Sequence, residues 1–320
     1  MKPASNERNL PFDFGAHIHP KSVLPDLPEG LSAVLGDRHH DIDKLVKWFE
    51  SAGYGGAALS QPIYMGHRNL DLVQKANDVL LEQLEDYNHF FGLAAIPTAA
   101  GGEVAAKEFK RCLNEGYSGG AIATKSDGIE LHDEEAEPIL EVANQTGAPI
   151  LVHPKLDDSL HPDVLGDKYR LNAVFGRETA LSESIFKVVH DGILDQYPNL
   201  NLVYHHLGGN IPAMMGRIHL QLDEGRWPGQ KHIKNFDEFK QQVENRVYLD
   251  TSGFFGYQAP LRVALEQMPV SQVLFGTDAP YEPRSKSELQ KFATSVREVA
   301  PRSDAQKILG ENALDLLVNT

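Results

Sequence analysis

The feature that most constrains this chain is a rhythm. Short apolar stretches with β character recur eight times, and helical patterns fall between them. The strand candidates are residues 12–18 (FDFGAHI), 55–60 (GGAALS), 89–97 (HFFGLAAIP), 118–124 (SGGAIAT), 149–154 (PILVHP), 200–206 (LNLVYHH), 247–253 (VYLDTSG) and 272–280 (QVLFGTDAP). Helical patterns such as DIDKLVKWFESAG end at Gly53, Gly116 and Gly147, residues suited to the left-handed turn that closes a helix. Alternation of this kind implies parallel strands joined by right-handed crossovers. Eight repeats within 320 residues predict an α/β fold of the (β/α)8 barrel type over an open doubly wound sheet. Two connections are long, 155–180 and 217–246, and in a barrel both would lie on the catalytic face.

Composition narrows the partners. The formal charge of −15 argues against nucleic acid or an anionic membrane, which call for clustered Lys and Arg. One cysteine, Cys112, excludes an internal disulfide and a thiolate cage. It sits in a helical pattern and reads as a buried small residue. No run approaches a membrane span of ~20 apolar residues. The opening MKPASNERNLP has no hydrophobic signal core, so a cytoplasmic protein is expected.

Barrel chemistry lies at the C-terminal strand ends. There the sequence places His17 and His19, Lys125, His153, His205 and His206, and Asp278. Residues i and i+2 of a strand share a face, so His17 and His19 can converge on one ion. His153 follows the strand ILV, and Asp278 is a carboxylate in GTDAP that wants a cation. Adjacent strand residues alternate faces, so only one of His205 and His206 should face the barrel. His206, followed closely by two glycines, is the choice for an acid–base group, with His205 packed behind the strand. Arg177 and Lys155 follow the fifth strand and are candidates to pair with a substrate carboxylate. His39 and His40 are expected in a loop.

These residues resemble the amidohydrolase superfamily, and within it the amidohydrolase-related branch containing aminocarboxymuconate-semialdehyde decarboxylase. The resemblance runs from AHIHP through VHP, the HLGG with IPAMMGRI, and GTDAP, to the terminal GENALDLL. It implies a single metal-dependent TIM-barrel domain over 1–320, with one divalent ion, usually zinc, held by His17, His19, His153 and Asp278. His206 and Asp278 would handle protons. Related aromatic decarboxylases carry Glu where this chain has His17. The branch's substrate-binding arginine before strand two has no counterpart in DKLVKWFESAG, where Arg38 lies further upstream, and Arg226 is offset by one from the arginine that reaches across a dimer. Lys125 falls near the position where binuclear relatives carry a carbamylated lysine, and is read here as a solvated or substrate-binding side chain. The expectation is a decarboxylase of an unsaturated or aromatic carboxylic acid, working as a homodimer on a small carboxylate. The alternative is hydrolysis of an amide, lactone or ester-like bond.

Overall fold

A computed structural model of the chain describes residues 10–23, 30–154, 167–229 and 231–318. Eight parallel strands follow one another in chain order: β1 Phe12–His17, β2 Gly56–Ser60, β3 Phe90–Ala95, β4 Gly119–Ala123, β5 Ile150–His153, β6 Leu202–Tyr204, β7 Val247–Asp250 and β8 Val273–Leu274. Every apolar run of the sequence supplies its strand. Helices between them bury one face each. Helix Ile42–Ala52 shows how: Asp41 caps its first turn by accepting from Lys44 N, Leu45 and Phe49 are buried, and Gly53 ends it at φ 85°.

Two apolar layers result. Between strands and helices lies the larger one, which includes Leu59, Phe109, Ile150, Leu181, Tyr204 and Phe275. Inside the barrel, Phe14, Ala58, Leu93, Ala121, Leu151, Val203 and Leu274 pack together, and Ala313, Leu314 and Leu317 of the last helix join them. These are the residues that the two-residue pleat turns inward. The interior is therefore a packed core, which leaves the strand ends as the place for chemistry.

The ring closes irregularly. β1 carries a shift in register between Asp13 and Ala16. Past it, Phe14 N donates to Phe275 O, Asp278 N to Gly15 O, and His17 N to Ala279 O, each at 2.7–2.9 Å. Asp13 fills the gap in the ladder. Its carboxyl accepts from Gly15 N at 3.0 Å, Thr277 N at 3.1 Å and the Thr277 hydroxyl. This join is short in regular pairing, which is why the eighth run, 272–280, has only two residues in regular strand.

Burial pushes the Asp13 carboxyl up to about 7. An acid whose folded value is raised binds its proton more tightly when folded, so its contribution to stability declines as pH rises from the unfolded value near 3.8 towards 7, at about 1.4 kcal/mol per unit. Asp13→Asn keeps an acceptor there without the titration. The stability of the native chain relative to Asp13→Asn should therefore fall between pH 4 and pH 7, measured by urea unfolding of both proteins across that range.

Candidate metal centre and active site

Four donors meet at the C-terminal end of the barrel. One nitrogen each of His17, His153 and His205 and one oxygen of Asp278 all lie within 4.8 Å of one another. The three rings are mutually 5.0–5.4 Å apart between centroids. Single-ion sites with ~2.0–2.2 Å bonds need donors about this close. His17 Nε2 is buried, lies 3.0 Å from Asp278 Oδ1, and has no hydrogen-bond partner among the described residues. A buried nitrogen left unpaired is costly unless something else engages it.

Outer contacts fix each donor. His17 Nδ1 pairs with Ser60 Oγ at 2.8 Å. His153 Nδ1 meets an acceptor, Pro154 O at 2.7 Å, so that nitrogen carries the proton and Nε2 keeps its lone pair. His205 Nδ1 pairs with Asp250 Oδ2 at 2.5 Å. Ser252 Oγ gives its proton to Asp250 Oδ1 and receives from the His205 edge, 3.0 Å from Nδ1. Carboxylate backing of this kind orients a metal-binding imidazole and raises its basicity. Gly15 makes the space: a Cβ there would lie 2.9 Å from His205 Cε1. The residues present fit a divalent ion.

The charges agree. Burial lowers His17 and lowers His153 well below the usual imidazole value, so both stay neutral, the form that binds metal. Burial works to raise Asp278, but His17 and His205 beside it hold it well below the usual carboxylate range. Burial likewise opposes protonation of His205, yet Asp250 pulls it up to about 10. Without an ion, the proton on His205 is the cation between two carboxylates. Metal uptake there would release it.

His19 lies outside this group. Its Nε2 accepts from Ile63 N at 3.3 Å and its Nδ1 pairs with Tyr281 Oη at 3.0 Å. Burial takes it down to about 3. The structure thus brings His205, and not His19, into the group with His17, His153 and Asp278. His205 is not packed behind the strand: it continues the extended chain of β6 at φ −62°, its N donates to Val152 O at 3.1 Å, and two residues on from inward-facing Val203 it faces the barrel mouth, while the left-handed turn begins at His206. Their rings stack at 4.6 Å on one side.

His206 is held in an unusual backbone. His206, Leu207, Gly208 and Gly209 all have φ between 51° and 70°. Such a conformation in non-glycine residues costs of order 1–3 kcal/mol each and persists only where surroundings impose it. His206 N donates to Ser252 Oγ, Nδ1 pairs with Glu178 Oε1 at 2.9 Å, and Nε2 is buried without a partner among the described residues.

Arg177 opens helix Arg177–His190, and its buried Nε has no partner among the described residues. Arg226 is exposed and lies 3.5 Å from Asp223. Lys155 lies outside the described residues. Lys125 pairs with Glu130 at 2.7 Å, and Glu130 also takes Lys187 of that helix at 2.5 Å. A cleft of about 340 Å³ adjoins His153, walled by Ile63, Met65, Arg68, Lys125 and Ser126. His39 is buried and His40 half-buried beside it. Sequence reading missed Asp250 and Glu178. Asp250 stands at the end of an apolar strand in VYLD, a signal of the same kind as Asp278, whereas Glu178 is indistinguishable by pattern from any acid in a first helical turn.

An amidohydrolase family model matches residues 67–317. The chain belongs to that family. Among curated proteins it is similar to the gamma-resorcylate decarboxylase of Polaromonas sp. (strain JS666), 28% identical over 91% of this chain and 90% of that one. It is also similar to the 2-amino-3-carboxymuconate-6-semialdehyde decarboxylase of Dictyostelium discoideum, 26% identical over 78% of this chain and 67% of that one. Among solved structures, a dihydroxybenzoic acid decarboxylase from Polaromonas with bound manganese and 2-nitroresorcinol superposes with a TM-score of 0.86. It is 22% identical over 98% of both chains. The eight-stranded barrel expected from the sequence is thus shared with that solved structure.

Gly253, at φ 85°, backs the His206 ring: a Cβ there would sit 2.3 Å from His206 Cγ. Gly253→Ala should displace that ring while leaving the metal donors in place. The expected outcome is unchanged metal content by elemental analysis with turnover reduced by about 100-fold, the low end of what an acid–base group supplies.

Proposed function

We propose that this chain is a metal-dependent, non-oxidative decarboxylase of an aromatic or unsaturated carboxylic acid. One observation carries the reading. A buried imidazole nitrogen with no partner among the described residues, His206 Nε2, stands beside a metal-donor group in a chain whose curated relatives, over most of its length, are decarboxylases. His17, His153, His205 and Asp278 are the donors within reach of one ion, and His19 flanks them. When bound, a divalent ion supplies Lewis-acid polarisation and orientation of substrate oxygens. Three imidazoles and one carboxylate suit zinc; a similar structure carries manganese.

The chain's own groups divide the remaining work. With Nδ1 against Glu178, His206 Nε2 first takes up a proton, from the bound acid or from water, and then passes it to the substrate carbon. The bond to the carboxyl carbon breaks, its electrons stay on the substrate, and CO2 leaves. Adding the proton to the ring carbon first interrupts conjugation and gives those electrons somewhere to go. Arg68 and Lys125 line the cleft, Arg68 paired with Asp127 and Lys125 with Glu130, each at 2.7 Å, so a substrate carboxylate would draw on them by exchange with those acids. Arg177, Lys155 and Arg226 remain candidates for its carboxylate. Exposed Val174 and Phe175 on the segment after β5, with Met214 on the helix after β6, are consistent with a homodimer. A lone, buried cysteine suits a cytoplasmic protein. Among the described residues no helix is long and apolar enough to cross a membrane.

Purified protein loaded with zinc or manganese should release CO2 from a panel of dihydroxybenzoates, 5-carboxyvanillate and unsaturated semialdehyde acids, followed by mass spectrometry of the headspace. Amide or lactone turnover with no CO2 from any acid would replace this reading with hydrolysis. Chelation should abolish the activity and re-addition of the ion restore it. His153→Ala should lower metal affinity by about 10-fold or more, read by titration calorimetry.

A further inference from the structure

We infer that Glu178 is the positioning residue for His206, fixing which of its ring nitrogens faces the substrate; the kinetic arm of this inference rests on the proposed decarboxylation. Glu178 Oε1 lies 2.9 Å from His206 Nδ1. A carboxylate only accepts, so Nδ1 carries the proton and the Nε2 lone pair points away from Glu178. That nitrogen is buried and meets no partner among the described residues. Glu178 Oε2 is buried and unpartnered there as well.

The surroundings hold this pair in register. Helix Arg177–His190 is preceded by one turn of π-helix, Asn172–Gly176. Such a turn adds a residue and rotates the helix beyond it, and it recurs at functional sites. Here it brings Glu178 round to face the strand ends in the first turn of the helix. Ser182 Oγ, one turn later, donates to Glu178 O and accepts from Asn210 N at 2.8 Å. Gly209 sits directly on the Glu178 carbonyl, where a Cβ would come within 2.2 Å. The left-handed run 206–209 is thus seated on the backbone of the residue whose side chain holds His206. From behind, Gly253 closes on the ring. Among the described residues, Glu178 is the acceptor that meets Nδ1.

The test compares Glu178→Ala with Glu178→Gln in zinc-loaded protein. Glutamine keeps a carbonyl acceptor at the same reach; alanine removes it. Long-range proton–nitrogen spectra of 15N-histidine-labelled protein, with His206 assigned by its loss in His206→Asn, report the tautomer directly. The native spectrum should show His206 protonated at Nδ1 only. Glu178→Gln should retain that pattern and most of the turnover. Glu178→Ala should lose it, with kcat down by about 10-fold or more and KM and zinc content little changed, a fraction of the ~10²–10⁴ supplied by an acid–base group itself. If the alanine variant does not fold, Glu178→Met keeps the bulk without the acceptor. A native His206 pattern in the acceptor-less variant overturns the inference, whatever happens to the rate. Absence of CO2 release from the native enzyme would overturn the proposed reaction instead, and the spectrum would still decide the role of Glu178.

Discussion

The active end of this barrel depends on how the first strand meets the last. β1 and β8 pair through a handful of hydrogen bonds around the Asp13 carboxyl, and these bonds set His17 and Asp278 side by side. A regular ladder would have done this with backbone alone. The irregular one opens a slot at Gly15, and His205 with its partner Asp250 occupies that slot. Barrel closure and metal-donor geometry are therefore one structural problem with one solution.

Around the donors, the protein concentrates conformational strain where chemistry needs direction. His205 reaches the donor group from the extended end of β6, and the left-handed run that follows it swings His206 alongside, towards Glu178. Burial keeps His17 and His153 neutral, and carboxylates flank His205. Neutral donors, a charged acceptor pair and an open imidazole nitrogen lie within a few ångströms because the strands end together.

Much of this was legible in the sequence. Each of the eight apolar runs became a strand, since short buried parallel strands announce themselves by composition and by the glycines that end the preceding helices. His17, His153 and Asp278 were readable as strand-end polar residues. The role of the histidine pair was less so. Alternation predicts opposite faces only while the chain stays extended; it holds through His205, which faces inward like Val203, and fails at His206, whose φ is 52°. His19 likewise lies beyond the end of β1, and its ring is taken by Ile63 and Tyr281, contacts between residues far apart in sequence. Glu178 was hidden because a π-turn, invisible to a 3.6-residue pattern, decides where it points.

Glu130 does more than pair two cations. It belongs to the small hairpin of Lys125–Ser126 and Ile129–Glu130, which hangs over the cleft. Through Lys187 it is tied to the same helix that begins with Arg177 and Glu178. The cleft wall and the helix that carries the partner of His206 are thus joined through a single carboxylate, so substituting Glu130 would free both at once.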